Sequence, residues 1–213
     1  MMKRSTDKGS DREKGVFCMP SSPKVQKEII LKTAFELLLC EGYGAINIKT
    51  VAQQLGCSTQ PISRQFGSMD GFRKELLEYG IEQLGSFFSM EGERVSDIVA
   101  GIAQGYVNLA FDMPNLYKYL YMSEHAEGKM GELIDRLRGE NTGKVIEMLK
   151  AEYDMPEAYA EEYIKNLNYY VHGIASYAAV GFVELSKQEI LDRVQNVSLA
   201  LLKNWREMKL TRK

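Results

Sequence analysis

Apolar residues recur along most of this chain at three- and four-residue steps, the spacing of one face of an α-helix. In KVQKEIILKTAFELLLCEGYG, Ile29, Ile30, Ala34, Leu37 and Leu38 form such a stripe, and Gly42 and Gly44 are placed to end it. Two short segments follow at 48–55 and 59–66. Ser68 is positioned to cap a long helix in SMDGFRKELLEYGIEQLGSFFSM. GERVSDIVAGIAQGYVNLAFDM reads as another helix, closed before Pro114, and Pro114 suits the first turn of PNLYKYLYMSE. MGELIDRLRGENTGKVIEMLKAEY continues the pattern, and Pro156 opens PEAYAEEYIKNLNYYVHGIASYAAVGFVEL. Ser186 and Glu189 form a capping box for the last helix, KQEILDRVQNVSLALLKNWREM. No alternating strand-like run of useful length and no internal repeat interrupts this, so the pattern predicts an all-α protein.

The short segments carry the most information. In NIKTVAQQLGCSTQPISRQF, Asn47 can cap the first helix, and Val51, Ala52 and Leu55 line its buried side. Gly56 ends it, because the tight turn calls for positive φ. Ser58 is placed to cap a second helix, with Pro61 as its third residue, where no intrahelical amide bond is lost. Ala52 is small enough for a steep crossing, and Ile62 would pack back across it. An alanine, a glycine four later and an aliphatic six after that is a helix-turn-helix pattern. It leaves Thr59, Gln60, Ser63 and Arg64 on the outer face. Arginine suits guanine or phosphate, glutamine suits adenine, and hydroxyls suit phosphate. The competing reading is a plain helical hairpin, but so short and polar a second helix would bury nothing with its outer face.

The stretch AFELLLCEGYGAINIKTVAQQLGCSTQPISRQFGSMDGFRKELLEY resembles the TetR family of transcriptional regulators over about residues 24–80. The matching features are a first helix ending in Glu-Gly-Tyr, a cap before the second, an Ala…Leu-Gly…Ser turn, a recognition helix ending in Phe and a Ser-initiated long helix. The resemblance implies a three-helix DNA-binding head on a helical effector-binding and dimerisation body. The expected organisation is a disordered arm over 1–22, the head over 23–67 and the body over 68–213. The chain departs from the family pattern at Ser63, usually Tyr, at Gln65, usually His, and at Met69, often Lys. The Tyr and Lys commonly touch phosphates, so backbone anchoring here is weaker or placed differently. Lys24, Lys27 and Lys49 are candidates to compensate, as is the arm with Lys14. The candidate DNA-contacting set is Lys24, Lys27, Asn47, Lys49, Ser58, Thr59, Gln60, Ser63, Arg64 and Gln65.

Charge changes the picture a little. Of 213 residues, 45% are hydrophobic and 26% charged, and net charge is −2. Residues 1–70 hold ten Lys/Arg against seven Asp/Glu, and residues 71–213 hold seventeen against twenty-two. A mildly basic first third on an acidic body fits a nucleic-acid-binding head. No apolar run is long enough for a membrane span and no apolar signal core follows the charged N-terminus, so a cytoplasmic protein is expected. Three cysteines, Cys18, Cys40 and Cys57, show neither disulfide nor metal spacing. They read as incidental thiols before a redox sensor at Cys57.

One recognition helix covers only a few base pairs, so a two-fold dimer reading a palindrome is expected. Candidate interface residues in the last two helices are Ala178, Gly181, Val194, Val197, Leu201 and Trp205, with intramolecular core as the alternative for some. GIASYAAVG adds Gly173, small enough for close helix approach. The middle of the chain is rich in aromatics. Phe87, Tyr106, Phe111, Tyr117, Tyr121 and Tyr169, with His172, could line a pocket for a flat or apolar ligand. The alternative is a packed core whose hydroxyls reach the surface, with His172 a satisfied core histidine. His125, among charged residues, reads as solvated.

The function expected is a sequence-specific DNA-binding regulator, a homodimeric repressor released by a small-molecule effector. The alternative is a protein-interaction adaptor that kept the fold and lost DNA binding. An enzyme is not expected: only two histidines exist, with no metal pair, phosphate loop or nucleophile motif, and no cofactor or metal is implied.

Overall fold

The computed structural model describes residues 25–84, 88, 91–122 and 142–211. Helix α1 spans Lys27–Glu41, α2 Ile48–Gln54, α3 Gln60–Phe66, α4 Met69–Gln83, α5 Val95–Asp112 and α6 Pro114–Tyr121. Residues 142–153 are helical and are designated α7. Helices α8, Glu157–Ala179, and α9, Lys187–Thr211, complete the described part, in which no strand occurs. The expected arm and His125 lie outside the described residues. None of the described helices is long and apolar enough to cross a membrane.

The head is built around α1, which buries Ile30, Leu31, Ala34, Leu37 and Leu38. Gly42 stops it at φ +81°, with its amide on the Leu38 carbonyl at 3.0 Å. Gly44 is not a second terminator. It sits inside a 3-10 turn, Tyr43–Ala45, that carries the chain toward α2. Asn47 caps α2 as expected: its Oδ1 accepts from the amides of Lys49 and Thr50, both at 3.0 Å, while Thr50 Oγ1 accepts from the Asn47 amide. At the other end Gly56 takes φ +63°. The Gly56 amide reaches the Gln53 carbonyl and the Cys57 amide the Ala52 carbonyl, a Schellman closure.

Helix α3 differs in detail from expectation. No side chain caps it, and Pro61 is its second residue, not its third. Thr59 has helical backbone angles, but the hydrogen-bonded helix begins at Gln60, one residue later than the spacing predicts, and no side-chain cap bond closes its start. Ser68 caps α4, its Oγ accepting from the Gly71 amide at 3.0 Å. The α3–α4 corner is tight: a Cβ on Gly71 would lie 2.3 Å from the Phe66 carbonyl oxygen.

In the body, α5 is the hub, packed against α6, α8 and α9 and buried on most sides. Its first amide, on Val95, is satisfied by the Glu152 carboxylate of α7 at 2.8 Å. Helix α8 ends at Ala179, short of the expected run to Leu185. Gly181 at φ +70° turns the chain, and the amides of Gly181 and Phe182 close on the Ala178 and Tyr177 carbonyls. The Phe182 and Tyr177 rings meet across that closure, tilted and 5.2 Å apart. The Ser186–Glu189 capping box forms as predicted. Accepting the Ser186 amide and hydroxyl holds the Glu189 carboxyl below its ordinary value. Between α8 and α9 the buried Tyr163 hydroxyl and Ser198 Oγ share a 2.7 Å hydrogen bond, and burial pushes the Tyr163 phenol up to about 12.

Candidate nucleic-acid interface and the aromatic cluster behind it

Helix α3 is held from behind. Ile62 is fully buried and Phe66 nearly so, and Phe66 meets the buried Phe72 ring edge-on at 5.0 Å. Val51 and Ala52 of α2 are buried in the same core, and α2 packs against α3. With the inner face used this way, Gln60, Ser63 and Arg64 of α3 are exposed, together with Ser58 and Thr59 before it. Lys49, at the start of α2, is exposed too. This is a short polar surface carrying one guanidinium, one ammonium, a carboxamide and three hydroxyls, a donor and acceptor set that can read base edges and phosphates.

Three other expected members are otherwise engaged. Gln65 is turned inward: its Nε2 donates to the Val25 carbonyl at 2.9 Å and to that of Pro61 at 3.3 Å. Lys27 pairs with Glu75 and lies 5.5 Å over the Phe66 ring. Asn47 spends its side-chain oxygen on the cap. Lys24 lies outside the described residues. Replacing Asn47 by Ala should cost about 1 kcal/mol of stability through the lost cap. DNA affinity should fall only in proportion to any head unfolding, which a thermal melt beside an anisotropy titration would separate from a direct contact.

Behind the head sits the aromatic cluster. Tyr106 of α5, Tyr117 and Tyr121 of α6 and His172 of α8 converge: the His172 ring lies 4.5 Å from Tyr106 and 5.0 Å from Tyr121, and Tyr121 lies 5.0 Å from Tyr117. Phe88 adds an edge contact to Tyr106 at 5.1 Å. The fully buried Tyr117 hydroxyl donates toward the His172 carbonyl at 3.3 Å and shares a 3.2 Å hydrogen bond with Ser176 Oγ. Ser176 was not among the expected residues. Its signal is positional, since it lies one helical turn beyond His172 on the same face. These rings are in contact, so a ligand entering among them must part them.

Two expected pocket residues do not join this cluster. Phe111 is exposed, with the Lys187 ammonium 6.0 Å over its ring. Tyr169 is 66% exposed. Phe87 lies outside the described residues. A separate open cleft of about 470 Å³ lies between the end of α7 and the C-terminal turns of α9, lined by Tyr153, Asp154, Arg206 and Lys209 among others.

The expected interface residues also divide. Val194 and Trp205 belong to the protomer's own core, and the Trp205 indole donates to the Tyr153 carbonyl at 3.3 Å. Ala178, Val197 and Leu201 are half-buried, and Gly181 is an exposed turn glycine. The outward apolar set is different: Tyr169, Gly173 and Tyr177 follow at steps of four and so share one face of α8, and the exposed Val180 lies just past its end. Phe182 and Leu199 are also exposed.

Helix α6 joins the two parts. Its Asn115 donates to the Leu39 carbonyl near the end of α1 at 3.0 Å, and its Tyr119 hydroxyl donates to the Arg73 carbonyl of α4 at 3.3 Å. The Tyr119 ring stacks on Tyr43 at 4.9 Å, with the Arg73 guanidinium 5.7 Å over Tyr43. Burial raises both phenols above the ordinary tyrosine value.

Residues 30–76 match the family model for bacterial regulatory proteins of the tetR family. No curated protein matches the chain. Among solved structures, a Rhodococcus sp. protein assigned to the TetR family of transcriptional regulators aligns at TM-score 0.62 and 14% identity, over 82% of this chain and 97% of that one. A TetR-like transcriptional regulator from Rhodococcus sp. RHA1 aligns at TM-score 0.59 and 12% identity, over 90% and 98%. A variant of TetR from Acinetobacter baumannii AYE, in complex with minocycline, aligns at TM-score 0.58 and 14% identity, over 86% and 98%. At these identities the structural likeness establishes the fold, and the matched segment is the helix-turn-helix head itself. Over that head, residues 30–76, the chain is similar to bacterial regulatory proteins of the tetR family, and over most of its length it shares the fold of the solved regulators.

Proposed function

We propose that this chain is a homodimeric repressor that binds a palindromic operator through α3 and is released by a small, flat or apolar effector. The observation that carries the reading is the division of α3: Ile62 and Phe66 are buried while Gln60, Ser63 and Arg64 are exposed. Two such helices, related by a two-fold axis, would enter successive major grooves. The apolar face of α8 with Leu199 of α9 is the candidate dimer surface. The candidate effector site is the cluster of Tyr106, Tyr117, Tyr121 and His172.

Release requires the effector to favour a conformation in which the recognition helices are misplaced. Helix α6 supports such coupling. Tyr117 and Tyr121 belong to the aromatic cluster, while Asn115 and Tyr119 of the same helix hold α1 and α4. Parting the rings would move α6 and load those contacts.

The first test is selection of bound duplexes from a randomised pool at near-physiological salt. An enriched palindrome supports the reading. A folded dimer that enriches nothing favours the adaptor alternative. The dimer surface has its own test at Gly173, which is exposed in the protomer with no atom within 4 Å of a built Cβ. Gly173→Ala should raise the helix stability of the protomer by roughly 0.5–1 kcal/mol. If two copies of α8 cross there, the same methyl should weaken the dimer in sedimentation equilibrium. Unchanged dimerisation removes Gly173 from the interface.

A further inference from the structure

The open cleft between α7 and α9 belongs neither to the candidate DNA surface nor to the aromatic cluster. Its volume of about 470 Å³ is in the range of small-molecule sites. Tyr153 and Asp154 form one wall, and Arg206, Lys209 and Leu210 from the last turns of α9 form the other.

Both walls are anchored from behind. The Trp205 indole donates to the Tyr153 carbonyl at 3.3 Å, and its ring lies 4.7 Å from that of Tyr159 in α8. Glu152 is held on the Val95 amide at 2.8 Å. Asp154 takes φ +48°, a left-handed conformation that aspartate tolerates better than most side chains. Met155, the next residue, is buried and fixes the far side of that turn. The cleft is therefore framed by fixed backbone, as pre-formed small-molecule sites are.

The chemistry it offers is amphipathic. Leu210 is 73% exposed, a large apolar side chain on the cleft wall. It lies four residues beyond Arg206, on the same face of α9. The Arg206 guanidinium sits 5.1 Å over the Tyr153 ring. The charged groups of the cleft are not equally available. Glu152 is committed to the Val95 amide, and Lys209 pairs with Asp154 at 2.5 Å. The ion pairs among the described residues of α9 are those of Lys187, Lys203 and Lys209, and Arg206 takes part in none of them. A guanidinium presents its N–H donors as a planar fork that matches the two oxygens of a carboxylate.

We propose that this cleft binds a small organic monocarboxylate, its carboxylate on the Arg206 guanidinium and its apolar or aromatic body against Tyr153 and Leu210. The site is separate from the aromatic cluster: Tyr106 lies about 16 Å along α5 from Val95, the residue whose amide Glu152 holds. The proposal rests neither on the DNA-binding reading of α3 nor on the effector reading of the cluster.

The test is isothermal titration calorimetry of the full chain with benzoate, phenylacetate, cinnamate and octanoate, each run beside its uncharged primary amide. At least one carboxylate should saturate the protein below about 10 mM, and its amide should bind at least about tenfold more weakly. Arg206→Gln should weaken the same carboxylate at least about tenfold. Leu210→Ser should weaken it several-fold. Both side chains are exposed, so both variants should keep the natural thermal midpoint. A series in which no carboxylate saturates would overturn the proposal. So would amides that bind as well as their acids, or natural affinity in Arg206→Gln, which would place the ligand elsewhere.

Discussion

Replacing Phe72 by Ala should destabilise the head by about 3–5 kcal/mol, the usual cost of emptying a fully buried aromatic site. Phe72 is 0% exposed and its ring meets Phe66 at the end of α3. Its loss removes the wall against which the recognition helix is set. The neighbours cannot easily collapse into the space, because the α3–α4 corner is already closed by the approach of Gly71 to the Phe66 carbonyl. A loss of that size is a large part of a typical domain's stability. The thermal midpoint should fall on the order of 10 °C, and duplex binding should be lost at temperatures where the natural chain still binds. A midpoint within a degree or two of the natural chain would show that α3 is held mainly by Ile62 and the α2 crossing.

The second large effect is expected at Arg64. Its side chain is exposed on α3 and makes no contact on which the fold depends, so Arg64→Ala should leave the melt and the dimer unchanged. If it reads a guanine edge or a phosphate, its removal costs about 1–3 kcal/mol per half-site. A symmetric dimer loses it twice, so affinity for a selected operator should drop on the order of 100-fold. A base contact would relax specificity at one position of each half-site, whereas a phosphate contact would weaken all sequences alike and reduce the salt slope by about one per contact. Unchanged operator affinity would remove Arg64 from the contact set.

Much of the head is legible in the sequence because its signals are local. Asn47 and Ser68 act as caps, and Gly56 takes positive φ, because each depends on backbone geometry within four residues. The Ser186–Glu189 box is equally local. The start of α3 lies one residue beyond where the spacing puts it, at Gln60, with no side-chain cap.

Partnership across the fold is another matter. Nothing near Gln65 in the chain announces that its amide will be used by Val25, forty residues earlier. Tyr169 and His172 are three residues apart on α8, yet the ring of one is in solvent and that of the other touches two tyrosines. Helical periodicity defines a stripe but not which neighbour covers it. Val194 and Trp205 likewise carry the same apolar signal whether they face a second copy or their own core, and packing against the body decided for the core.

The sequence alone determined an all-α chain, the helix-turn-helix with its turn glycine and the caps at Asn47 and Ser68, and a mildly basic first third. These follow from periodicity, backbone conformation and composition, which are properties of neighbouring residues. Only the tertiary structure decided which exposed side chains remain for DNA, that α6 bridges the aromatic cluster to α1 and α4, and which aromatics meet around His172. Those outcomes depend on the angles at which helices pack and on the burial that results, and both are set by the whole core.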